Sequence, residues 1–156
     1  MDGCNHREPA EVTAAGKEPV CRARKGRSAV ILGLGIDLLE TDRVEQELSR
    51  GDWLLADGIF TPGEITYCSA AGKPALCFAA CFAAKEATCK ALGLRVSDLG
   101  LYREVEVVFR DNGSHQVLLH DRLAAAAGAL GVRNIILSIA HHGGQTSAII
   151  ILEDGT

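Results

Sequence analysis

The residues most able to do chemistry sit inside an otherwise apolar helical segment. Residues 75–92 read ALCFAACFAAKEATCKAL, with no Gly or Pro inside and Gly93 directly after. Such a helix is apolar almost all round, the pattern of a buried element. It nevertheless carries Lys85, Glu86 and Lys90. At about 100° per residue, Ala79, Ala83, Glu86 and Lys90 fall within an arc of roughly 60°. Two charged groups thus stand in line with two alanines, which let a backbone or a ligand come close. Buried charge needs a partner or a metal, whereas on an exposed face Glu86 and Lys90 would form a simple i, i+4 pair. Both readings stand at this point. Asp37 is the second candidate, a carboxylate following Gly33-Leu34-Gly35-Ile36. It suits a helix cap, a turn or a metal ligand. The glycines do not make a dinucleotide fingerprint, because the third one would fall on Leu38. The third candidate is Ser138-Ile139-Ala140-His141, followed by His142 and Gly143-Gly144. Alternation puts Ser138 on one strand face and His141 on the other. The two glycines beside them expose backbone amides that can receive an anion.

The elements that must hold these groups are legible from punctuation and period. AVILGLGIDLL (29–39) is a short apolar strand, broken by its glycines. A helix is expected from Thr41 or Asp42, with Asp42 and Glu45 as a capping box, ending near Gly51. Thr61-Pro62-Gly63-Glu64 opens a second helix: Thr61 caps, Pro62 suits the first turn, and Glu64 closes the box. That helix stops before Gly72-Lys73-Pro74. Residues 104–110 alternate with period two and meet Asp111-Asn112-Gly113, a turn sequence that tolerates positive φ. HQVLLH (115–120) is the return strand, 121–131 a short helix, and 134–142 and 145–153 two further strands. The sum is an α+β fold with antiparallel pairing.

The chain has 156 residues, 47% hydrophobic and 23% charged, which suits one soluble domain. Residues 1–28 are polar, aperiodic and net positive, and read as a flexible extension closed by Arg22, Arg24, Lys25 and Arg27. Residues 29–156 form the folded body. The overall charge of −4 argues against a nucleic-acid partner. No apolar run is long enough to span a membrane, and no export signal is evident, so a cytoplasmic location is expected. Six cysteines stand at 4, 21, 68, 77, 81 and 89 without a zinc pattern. They are expected to be reduced, with Cys77, Cys81 and Cys89 as small core residues along one stripe.

Taken together and in order, these segments resemble the holo-acyl-carrier-protein synthase family of 4′-phosphopantetheinyl transferases. The resemblance covers about 30–153. It rests on Gly35-Ile36-Asp37 with Arg43 following, on Phe60-Thr61-Pro62-Gly63-Glu64 with Tyr67, on Phe82-Ala83-Ala84-Lys85-Glu86-Ala87-Thr88-Cys89-Lys90-Ala91-Leu92-Gly93, and on Leu137-Ser138-Ile139-Ala140-His141. It implies transfer of 4′-phosphopantetheine from coenzyme A to a serine of an apo acyl carrier protein, releasing adenosine 3′,5′-bisphosphate. Asp37 and Glu86 match the family's Mg²⁺ carboxylates, a sensible oxygen donor set for that ion. Lys90 matches the phosphate-binding lysine, and His141 the histidine beside the coenzyme A phosphates. Lys85 and Ser138 belong with the coenzyme A contacts. The catalytic set implied is Glu86, Lys90 and His141, the serine's proton going to Glu86 or to a water on the metal. Arg43 matches the arginine on the helix that receives the acidic carrier protein, where it would steer the encounter. The resemblance also implies a homotrimer with sites at subunit interfaces.

The chain departs from the family pattern at four places. Cys81 stands where the family has Arg, Leu94 follows Gly93 in place of a glycine turn, His142 replaces Thr, and the hairpin at His115 lacks Pro. The second functional reading is therefore a member that binds carrier protein or a coenzyme A-like ligand without transfer.

Overall fold

The computed structural model describes residues 29–50, 58–96, 98–110 and 113–155. The expected extension 1–28, Gly51 and the turn residues Asp111 and Asn112 lie outside the described residues. Strand β1 (Ile31–Glu40) leads into helix α1 (Thr41–Arg50). Helices α2 (Pro62–Ala70) and α3 (Pro74–Ala91) follow. A 3-10 helix, Leu99–Glu104, precedes strands β2 (Val105–Phe109) and β3 (His115–Leu119). Helix α4 (Asp121–Ala129) and strands β4 (Asn134–His142) and β5 (Gln145–Glu153) complete the chain. The three-stranded sheet runs β1-β5-β4 and the two-stranded one β2-β3, antiparallel throughout. The α+β expectation and nearly all element bounds hold. Among the described residues no helix is long and apolar enough to cross a membrane.

The registers set two very different faces on the larger sheet. Gly33, Gly35 and Asp37 align with Leu152, Ile150 and Ala148 of β5, and those with Ile135, Leu137 and Ile139 of β4. This inner face packs on α3, whose Ala79, Ala83, Ala84 and Ala87 are fully buried. The opposite face carries Leu34, Ile36 and Leu38, 55–60% exposed, beside Ile136 and Ile149.

Three expectations need correcting. Gly33 and Gly35 do not break β1, which runs on past both, with one irregularity between Ile31 and Gly33. They are there because α3 lies directly on them. A Cβ on Gly35 would sit 1.9 Å from the Ala87 carbonyl oxygen, and one on Gly33 2.2 Å from that of Ala91. Helix α1 begins at Thr41, so Asp42 lies inside the first turn and cannot cap it. Its start is fixed instead by Thr41 N–H donating to the Gly144 carbonyl at 2.8 Å. Not all cysteines are reduced: Cys68 of α2 and Cys77 of α3 form a disulfide. The tight connection between the two helices brings their Cα atoms to 5.3 Å, within bridging range. Cys81 and Cys89 remain free and buried, as expected, and burial pushes the Cys89 thiol up to about 11.

The glycine contact makes a sharp prediction. Backbone blocks the space at Gly35, so Gly35→Ala must displace α3. Overpacking of this kind costs about 1–3 kcal/mol or more. We expect thermal unfolding to show a clearly lowered midpoint; an unchanged midpoint would mean the helix does not rest on this strand.

Candidate functional site

Asp37, Glu86 and Lys90 come together on the inner face of the sheet. Lys90 Nζ lies 2.8 Å from Asp37 Oδ1 and 3.3 Å from the Ile36 carbonyl. The bond to Asp37 holds the ammonium above its ordinary range, with Glu86 adding to the attraction. Glu86 Oε1 in turn accepts a hydrogen bond from the Tyr102 hydroxyl. The simple Glu86–Lys90 pair is thus replaced by two separate partnerships, and Asp37 caps no helix, since α1 starts at Thr41. The lysine is half exposed at its side chain and Asp37 14% exposed, so the group opens to solvent. Two carboxylates from facing elements, beside a half-exposed lysine, form a hard-oxygen donor set that fits Mg²⁺.

Lys85 is placed otherwise than expected. Its ammonium is fully buried, 2.9 Å from Glu64 Oε2. It also donates to the Tyr102 carbonyl at 2.9 Å and to the Val105 carbonyl. Three donors meet three acceptors, and nothing is left to reach coenzyme A. Burial still pulls its pKa down, and Glu64 opposes that pull. Glu64 is occupied as completely: it accepts from Thr61 N–H and Val107 N–H, both at 2.8 Å, while Thr61 Oγ1 accepts from Glu64 N–H. The capping box expected at Thr61 is therefore present and doubles as the anchor of a buried ion pair. Breaking such a pair by removing one partner costs about 3–5 kcal/mol.

His141 does not join the first group within this chain. It pairs with Thr146, one row beyond the Asp37–Ala148–Ile139 row and two strands across from β1. Strand spacing makes that about 10 Å across and about 7 Å along. Its Nδ1 lies 2.9 Å from Thr146 Oγ1, which is 3.1 Å from Thr41 Oγ1. Both rims of the histidine are hollow. One cleft, of about 670 Å³, is lined by Thr41, Asp42, Lys73, His141 and the Gly143-Gly144 turn. A smaller one, of about 240 Å³, is lined by Tyr67, Cys77, Phe109, His115 and His141. The two glycines take φ of +57° and +77°, as a two-residue hairpin turn requires. Ser138 faces the other way, on the exposed apolar side of the sheet beside Ile149. Arg43 stands exposed on α1.

The profile of the 4′-phosphopantetheinyl transferase superfamily matches residues 33–140. The holo-[acyl-carrier-protein] synthase of Moorella thermoacetica is 37% identical over 123 residues, 79% of this chain and 94% of that protein. The chain belongs to this family. Among solved structures, the holo-[acyl-carrier-protein] synthase of Neisseria meningitidis superposes with a TM-score of 0.70 at 26% identity, covering 80% of this chain and 99% of that one. That of Bacillus anthracis in complex with coenzyme A (3′,5′-ADP) gives 0.64 at 25% identity, covering 82% and 100%.

Two family departures acquire a place. Cys81, where the resemblance leads one to expect Arg, is fully buried, its Sγ 3.8 Å from that of Cys68. His115 comes forward to line the smaller cleft with His141. Sequence reasoning missed Tyr102, whose segment has no period, and Thr146, one hydroxyl in an apolar strand. For both, the only signal would have been the partner across the fold.

Burial, and secondarily the charge of His115, lower the pKa of His141 from 6.5. A base lowered in the fold favours its neutral form there. Its stabilising contribution is complete above about 6.5 and is lost as pH falls through the folded midpoint. We expect a ring-proton titration to place the His141 midpoint below 6.5, and His115→Ala to raise it without passing 6.5. A midpoint unmoved in the variant would show that His115 does not act on His141.

Proposed function

We propose that the chain transfers 4′-phosphopantetheine from coenzyme A to a serine hydroxyl of an apo acyl carrier protein and releases adenosine 3′,5′-bisphosphate. The observation that carries this is the Asp37–Lys90–Glu86 group, assembled from a strand and a helix on the motifs shared with the synthases. Asp37 and Glu86 would hold Mg²⁺. Bound there, the ion supplies charge neutralisation for the diphosphate of coenzyme A. Lys90 adds a positive charge on a half-exposed side chain suited to the transferring phosphoryl group. His141, lowered in pKa, is neutral near pH 7 and offers a ring nitrogen at the cleft while Thr146 orients it. Arg43, exposed on α1, would meet the acidic face of the carrier protein.

The active unit is proposed to be a homotrimer. His141 and the carboxylate pair lie apart within one chain, so a site using all of them takes His141 from a neighbouring copy. The uncovered apolar face of β1, β4 and β5 is the surface available for that packing. Ser138 lies on this face, so its place near coenzyme A would also depend on assembly.

The direct test is intact-mass spectrometry of apo carrier protein incubated with this protein, coenzyme A and Mg²⁺. A mass gain of one phosphopantetheinyl group is expected. Glu86→Gln keeps the side-chain volume, so it should abolish the gain without lowering the unfolding temperature. Transfer at the unsubstituted rate in that variant would sink the metal assignment. No gain with any carrier would favour the member that binds without transfer.

Assembly has its own test. Ile36 is 55% exposed in the single chain, so Ile36→Asp should leave that chain folded. Light scattering should show trimers becoming monomers, with transfer lost in step. Full transfer by a monomeric protein would overturn the shared site.

A further inference from the structure

Tyr102 lies outside every motif that carries the resemblance, yet the central motif grips it at three points. Phe82, Lys85 and Glu86 stand at i, i+3 and i+4 and so share one face of α3. Each takes a different part of the tyrosine. The Phe82 ring packs against its ring, centroids 5.4 Å apart and planes at 57°. Lys85 Nζ donates to its carbonyl at 2.9 Å. Glu86 Oε1 accepts its hydroxyl proton. The residue is only 4% exposed. Behind it, the Glu64–Lys85 pair ties the same backbone to α2, α3 and β2 at once. The hydroxyl therefore arrives at Glu86 on a support that cannot easily shift.

We propose that Tyr102 is the positioning residue for Glu86. By donating into Oε1, it fixes the carboxylate's rotation and leaves Oε2 as the oxygen without that partner. Glu86 then presents one chosen oxygen. Outer partners of this kind orient a metal-binding carboxylate and raise affinity for the ion. This assigns the buried lysine of the motif a task as well. Lys85, its ammonium fully buried, holds the Tyr102 backbone so that the phenol meets the glutamate. The inference rests on the reading of Glu86 as a metal ligand.

The test is Mn²⁺ binding, as a spectroscopic stand-in for Mg²⁺, to the full chain with coenzyme A present. It compares the unsubstituted protein, Glu86→Gln and Tyr102→Phe, with unfolding temperatures measured in parallel. Tyr102→Phe keeps the ring and its contact with Phe82. Loss of an outer partner typically weakens metal binding about 10–100-fold. We expect a weakening of about tenfold or more, with little change in unfolding temperature. In transfer assays the Mg²⁺ concentration for half-maximal rate should rise, and excess Mg²⁺ should restore most of kcat. A merely structural role would lower kcat through loss of folded protein and leave the metal requirement where it was. Equal Mn²⁺ affinity in the unsubstituted and Tyr102→Phe proteins would overturn the positioning role while leaving Glu86 a ligand. Mn²⁺ binding that Glu86→Gln does not weaken would overturn the metal reading itself, and this inference with it.

Discussion

Two glycines set how close a helix may come to a strand, and the site follows from that distance. At Gly33 and Gly35 the backbone of α3 rests on the backbone of β1 with no side chain between. Side chains that start from backbones this close need little length to meet. Asp37, two residues beyond Gly35, can therefore reach the ammonium of Lys90 at 2.8 Å. The alanines of α3 serve the same end from the other side. A core of this kind gains less from hydrophobic area than one of Leu and Phe. It relies on close-range dispersion, which falls off steeply when surfaces separate.

A second fixed point lies at the far side of α3. Glu64 and Lys85 form a buried ion pair in which every donor and acceptor is occupied. Pairs of this sort seldom add net stability over an apolar substitute. What this one does is join four segments at one place: the start of α2, the middle of α3, the 3-10 helix and β2. The glycine contact fixes α3 against the sheet, and the ion pair fixes the smaller hairpin against α3. Glu86 lies between the two.

Most of the fold was legible because it is written in local terms. Thr61, Pro62 and Glu64 spell a helix start through groups only three residues apart, and the capping box formed as read. The Gly143-Gly144 hairpin and the alternation of β4 and β5 are equally local. What escaped depends on contacts across the fold. Gly33 and Gly35 read as interruptions because nothing nearby reveals the helix lying over them. Lys85 was placed with the coenzyme A contacts by the resemblance, and nothing local reveals its buried partner, Glu64. Cys68 and Cys77 were expected to be reduced, since only the turn between α2 and α3 brings them together. Within the site, Asp37, Glu86 and Lys90 were named through the resemblance, whereas Tyr102 entered only with the packing of a segment that has no period.

Strand β1 carries two messages in alternate residues. Gly33, Gly35 and Asp37 address α3; Leu34, Ile36 and Leu38 address whatever covers the sheet's other side. Inserting or deleting one residue in this strand would exchange the two sets downstream. Isoleucine would then press on a helix that has no room for it, and the aspartate would point out among leucines. A change of two residues would restore the alternation yet move the carboxylate by about 7 Å, away from its lysine. The length of this strand is thus as strictly determined as its composition, and natural variation in chain length should fall elsewhere, in the connections.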